Sequence, residues 1–171
     1  METIRKRSEI PVEDTWALED IYPSDEAWEQ EFASLSEDQA ALEGYAGHLA
    51  DSAKTLYAYL EKMESTNAKA HQLGNYAMRR SDEDTRVATY QAMVGKFMSA
   101  VVALEAACSF ETPEIMAISE EKLDGFYAAY PALERYRRYL TDVRRRKAHI
   151  LTPAEEKLLA AAGEMGQTPS N

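Results

Sequence analysis

The chain has 171 residues, 45% of them hydrophobic, and a formal net charge of −11 at pH 7. That length suits one domain able to bury roughly 70% of the surface its unfolded form exposes, and the apolar supply excludes general disorder. A net anion of this size argues against nucleic acid and anionic membrane as main partners, since both repel it.

The N-terminus is basic at Arg5-Lys6-Arg7, then acidic, and no apolar run follows it, so it does not read as a secretory signal. The apolar stretch from Phe97 to Phe110 is broken by Glu105 and too short to span a bilayer. One cysteine, Cys108, closes no intrachain disulfide, which suits a reducing compartment and a cytoplasmic protein.

Residues 1–23 read as an N-terminal arm carrying Trp16 and Tyr22 as an aromatic cluster. The first helix is predicted to start at Ser24, whose hydroxyl can accept an orphan backbone N–H, with Asp25 and Glu26 at the positive end of the helix dipole. Trp28, Phe32, Leu35 and Leu42 share one face, and Gly44 and Gly47 end the helix. A second helix is predicted from about Ser52 to Arg80, with Leu56, Leu60, Met63, Ala70 and Ala77 along a stripe that Asn67 interrupts. Charge alone marks its end: Arg79 and Arg80 suit a C-terminus, and Ser81-Asp82-Glu83-Asp84 suits the start of the next helix. So short a loop returns the third helix antiparallel. Along it Val87, Tyr90, Val94, Phe97, Val101, Leu104 and Cys108 alternate steps of three and four, a seam for a partner helix. Gly74 and Gly95 lie inside the two long helices, where close backbone approach competes with the plainer reading of tolerated glycine.

Beyond Pro113 the pattern shortens. Ser119-Glu120-Glu121 opens a helix to about Tyr130, and Pro131 opens another with Leu133, Tyr136, Leu140 and Val143 inward. Thr152-Pro153-Ala154-Glu155 is a capping box that launches a last helix, fading at Gly163. No strand alternation occurs. The expected fold is all-α: a long antiparallel hairpin over residues 52–110 with shorter helices alongside, within a helical domain over 24–163.

Catalytic groups are not legible. None of His48, His71 and His149 has a second histidine three to five positions away, and none follows a glutamate by three, so neither a zincin helix nor a di-iron pair is spelled out. Cys108 on an apolar seam reads as a core thiol. The ten tyrosines read as core-edge residues with a polar tip. We therefore assign no catalytic residue, no metal ligand and no cofactor to this chain. Between Pro131 and His149 seven basic residues face two acidic ones. Three readings stand: a solvated face answering the acidic remainder, a docking surface for another domain through Arg137, Arg138, Arg144, Arg145 and Lys147, or nucleic-acid binding.

Two blocks are similar to a known family. One is Trp16-Ala17-Leu18-Glu19-Asp20-Ile21-Tyr22 running on through Trp28 to Phe32. The other runs Phe110-Glu111-Thr112-Pro113-Glu114-Ile115, Glu120-Glu121-Lys122-Leu123, Tyr136-Arg137-Arg138-Tyr139-Leu140, Leu151 to Leu159 and Thr168-Pro169-Ser170-Asn171. In order and spacing they resemble the N-terminal region of oligoendopeptidase F, a zinc metallopeptidase. The resemblance implies a cytoplasmic enzyme that cleaves short peptides inside a mostly helical body, with zinc and general base from a His-Glu-x-x-His helix. That motif does not occur here. The expectation is a fragment that walls the substrate cavity and is inactive alone, with residues 164–171 a truncated linker to a catalytic domain that is its partner. The alternative is a free-standing helical interaction module.

Overall fold

The computed structural model describes residues 9–145. Among them no strand occurs, and six α-helices follow two short 3-10 turns: α1 Asp25–Glu43, α2 Ala53–Glu83, α3 Ala88–Ala107, α4 Glu111–Ala117, α5 Glu120–Ala129 and α6 Arg137–Arg145, the last led by a 3-10 turn over Pro131–Tyr136. The all-α hairpin architecture expected from the periodicity is what the chain adopts, with α2 and α3 as its two arms. The predicted capping box at Thr152 and the helix to Gly163 lie outside the described residues.

Local chemistry sets the boundaries. Ser24 caps α1 by accepting the Ala27 N–H at 3.3 Å, Ser52 caps α2 through the Thr55 N–H at 3.0 Å, and Ser119 caps α5 through the Lys122 N–H at 3.2 Å. After α1 the chain turns through Gly47, whose φ of +83° is the left-handed conformation that glycine adopts without strain. The hairpin turn falls later than its charges suggest. Ser81 does not cap α3: it is buried in the last turn of α2, and its hydroxyl accepts the Gln91 amide across the turn at 2.7 Å. The break comes at Asp84, whose carboxylate accepts the Arg86 backbone N–H at 3.0 Å and its guanidinium at 2.7 and 2.8 Å. This local Asx bonding competes with the helix more strongly than the Ser81 hydroxyl does. The Arg86 guanidinium holds the Asp84 carboxyl down to about 2.

Two cores share α2. The first gathers Trp28 and Leu35 of α1, Leu73, Tyr76 and Ala77 of α2, and Met93 and Phe97 of α3. Trp28 is fully buried, stacks on Phe32 with ring centroids 4.9 Å apart, and donates its indole N–H to the Leu73 carbonyl at 2.9 Å. Tyr22 packs edge-on against Tyr76 at 5.5 Å, whereas Trp16 stays exposed beneath the Arg79 guanidinium at 4.7 Å. The second core joins Leu56, Tyr59 and Leu60 of α2 to Ile115, Leu123, Leu133 and Leu140. The four inward positions expected after Pro131, Leu133, Tyr136, Leu140 and Val143, are all buried. Asp38 of α1 ties that helix to α2 at mid-length, accepting Lys62 and, at 2.6 Å, Lys69.

Candidate functional site

The glycine inside α2 fixes how the hairpin arms meet. A Cβ built on Gly74 would stand 2.7 Å from the Phe97 ring, so that ring lies directly on the α2 backbone; beside Gly95 there is open space. Of the two glycines, one makes a close approach and the other is merely tolerated. Antiparallel from this contact, α2 and α3 leave a cleft of about 590 Å³ along their outer side.

One lip is polar. Asn67, His71 and Asn75 project from α2 at steps of four, all exposed, so they line up along one helix face. The opposite wall is apolar, built by Phe97, Met98, Val101 and Leu104 of α3. Met63 and Met78 add adaptable thioethers at either end of the α2 side. The Asn67 that interrupts the apolar stripe of the sequence is therefore a cleft residue, which accounts for its polarity.

At the Cys108 end the cleft turns acidic, with Glu105 and Glu111 among its lining. Glu111 is buried at the first turn of α4 and is held by two hydroxyls: Tyr59 O–H donates to it at 2.9 Å, and Tyr139 of α6 donates to its other oxygen. Burial, reinforced by the Glu111 charge, pushes the Tyr59 phenol far above its usual value, so it remains a donor. Cys108 ends α3 half-buried, and burial with the nearby Glu111 charge pushes its thiol up, which keeps it protonated. The second carboxylate of α4, Glu114, accepts the Gly47 and Leu49 N–H groups at 2.5 and 3.2 Å and clamps the loop after α1. The Phe110 to Ile115 block thus anchors three neighbours by two carboxylates three residues apart. Sequence reasoning missed both roles; the paired glutamates flanking Pro113 were the available signal.

The basic segment divides. Arg137 forks onto Glu134 with both bonds at 2.6 Å and lies 3.9 Å over the Tyr127 ring. Arg138 is 96% exposed at its side chain and reaches Asp142 only at 3.9 Å, and Arg145 meets the same carboxylate at 3.2 Å. Arg144 is half-buried on α6; Lys147 lies outside the described residues. Zinc chemistry has no ligand set to use: among the described residues no three His, Cys, Asp or Glu side chains converge. His48 is bonded to Asp51 at 2.7 Å and His71 sits on the cleft lip, so the described side chains do not fit a zinc site.

The Oligopeptidase F family profile matches residues 114–171. Oligopeptidase PepF of Bacillus subtilis is 39% identical over 165 residues, which is 96% of this chain and 25% of that protein. The plasmid-borne oligoendopeptidase F of Lactococcus lactis subsp. cremoris is 37% identical over 97% of this chain and 28% of its own length. The fold agrees: the crystal structure of oligoendopeptidase-F from Enterococcus faecium superposes with a TM-score of 0.67 at 29% identity over 83% of this chain and 28% of that one. The chain belongs to the oligoendopeptidase F family and matches that family's N-terminal region. A crystal structure from Chlamydophila abortus matches more extensively still, at TM-score 0.82 and 27% identity over 97% of this chain and 28% of that one. The chain spans about a quarter of the length of the curated oligoendopeptidases it matches.

Proposed function

We propose that this region of oligoendopeptidase F supplies structure and surface to a zinc-dependent, cytoplasmic oligopeptidase, walling the cavity in which short peptides are held, and performs no cleavage alone. The observation that carries this reading is the cleft between α2 and α3: an apolar wall facing a polar row of two side-chain amides and an imidazole, on a chain that offers no converging metal ligands among its described residues. In the whole enzyme zinc would be held by residues elsewhere in the polypeptide and would supply an activated water for peptide hydrolysis. Residues 24–163 form the helical domain in this reading, residues 164–171 lead toward the catalytic domain, and that domain is the partner. Arg138 and Arg145, which project from α6, are the docking contacts best supported by exposure, with Arg137 and Arg144 on the same helix and Lys147 added from the sequence alone.

The test is a quenched-fluorescent peptide incubated with the purified chain, with and without added zinc. Background hydrolysis in both is expected. Cleavage that requires zinc, is stopped by a chelator and survives repurification would overturn the proposal. A second reading, self-association as an interaction module, draws on the exposed Met98 and Val102 of α3.

A further inference from the structure

We propose that the α2–α3 cleft selects peptide segments that carry one cationic group on an otherwise apolar stretch, with the cation seated at the Glu105–Glu111 end. This rests on the peptide-handling role given above and adds to it a preference.

Three features of the cleft point to that ligand. The α3 wall of Phe97, Met98, Val101 and Leu104 offers apolar side chains a place out of water, and methionines on both helices let it adjust to their shapes. Across from it, Asn67, His71 and Asn75 carry donors and acceptors along the lip, the equipment needed to pair with the amides of an extended backbone. The third feature decides the charge. Glu111 is more than nine-tenths buried, and its hydrogen-bond partners are the hydroxyls of Tyr59 and Tyr139 rather than a lysine or arginine. Neither hydroxyl brings a positive charge to the carboxylate. Glu105 adds a second negative charge, and among the described residues no lysine or arginine lines the cleft. A cationic side chain or amine entering there gains charge-assisted bonds in partly desolvated surroundings, whereas a carboxylate is repelled. The volume, about 590 Å³, lies within the range of about 300–1,000 Å³ common for ligand pockets.

The experiment titrates the isotope-labelled 171-residue chain with three blocked pentapeptides, alanine and leucine throughout except for a central lysine, glutamine or glutamate. Amide shifts are followed in two-dimensional NMR spectra. The lysine peptide should bind about tenfold more tightly than the glutamate one, with shifts concentrated at Asn67, His71, Val101 and Glu105. Raising the salt concentration should shrink that preference. Glu105→Gln, at an exposed position, should cut the preference several-fold with the circular dichroism unchanged; Glu111→Gln should act in the same direction if it folds. Equal binding of all three peptides would overturn the inference while leaving the cavity-wall role intact. So would shifts mapping away from the cleft, or no binding by any peptide, since the cavity role is decided separately by the cleavage assay.

Discussion

The two arms of the hairpin reverse the usual relation between apolarity and burial. Helix α2 is the more polar in composition, yet ten of its residues are buried, because it lies between α1 on one side and α5 with the Pro131 turn on the other. Helix α3 is mostly apolar in composition, yet only Met93, Phe97 and Leu104 are buried. An 18-residue window within Ala88–Ala117, a span that runs from α3 on into α4, is only 22% buried inside the domain. Helix α3 is nonetheless seated in the bundle through Phe97 on Gly74 and an ion pair from Lys96 to Glu29 at 2.5 Å. α2 is a core helix; α3 presents a surface. What separates them is not hydrophobicity but whether the described chain supplies a partner for each face.

The largest way to break that contrast is Trp28→Ala, which empties the centre of the first core and removes the bond to the Leu73 carbonyl. It should cost about 3–5 kcal/mol in denaturant unfolding. A loss below about 1 kcal/mol would mean that the α1–α2 contact is not the anchor described. Next, Gly74→Ala against Gly95→Ala separates the two faces of the hairpin. Gly74→Ala forces the buried Phe97 ring off α2 and should destabilise by about 1–3 kcal/mol. Gly95→Ala, with open space at its Cβ, should stabilise by up to about 1 kcal/mol. Equal signs in thermal unfolding would contradict the register.

Glu114→Gln probes the α4 clamp. It keeps one acceptor for two backbone N–H groups and should cost about 1–2 kcal/mol. A smaller effect comes from the tie between α1 and α2. Burial alone would raise the Asp38 carboxyl, but hydrogen bonds from Lys62 and Lys69 outweigh it and hold the group below its ordinary value of 3.8. A depressed acid stabilises the fold above its unfolded pKa, and that share is lost as pH falls through the folded value. Melting temperature should therefore drop below about pH 4, and Asp38→Asn should flatten that limb. Lys69 is shifted the opposite way: burial works against it, but bonds to Asp38 raise it, so its share is lost only as pH climbs past the ordinary lysine range. An unaltered acid limb in the Asn variant would remove Asp38 from the account.

Much of this was readable beforehand, and the reasons are local. Ser24, Ser52 and Ser119 act as caps because each precedes its helix by one residue and can reach a donor in the first turn. Leu133, Tyr136, Leu140 and Val143 are buried as their spacing requires. The α2–α3 boundary was misplaced because helix-dipole charge is a weak preference, whereas the Asp84–Arg86 bonds that decide it depend on a specific local geometry. The cleft was not legible at all. Asn67, His71 and Asn75 look like an ordinary solvated face until the opposing helix is placed. Along the expected α3 seam all four of Phe97, Val101, Leu104 and Cys108 line the cleft, but only Phe97 and Leu104 are buried, Val101 and Cys108 being half-buried. Glu111 was hidden for a similar reason: its partners Tyr59 and Tyr139 lie 52 and 28 residues away along the chain.

The measurement that bears most directly on the central claim is sedimentation velocity of the 171-residue chain across a concentration series, beside Val102→Glu and Met98→Glu. Met98 and Val102 are 46% and 62% exposed, so each variant should change stability by less than about 0.5 kcal/mol. With an uncovered apolar face on α3, the unaltered chain should bind a hydrophobic dye and associate progressively without a discrete stoichiometry, and both variants should lose these properties at the same melting temperature. A stable dye-free dimer would favour the interaction-module reading. A chain that stays monomeric and dye-free at every concentration, or variants that unfold, would contradict the assignment of α3 as a surface awaiting cover.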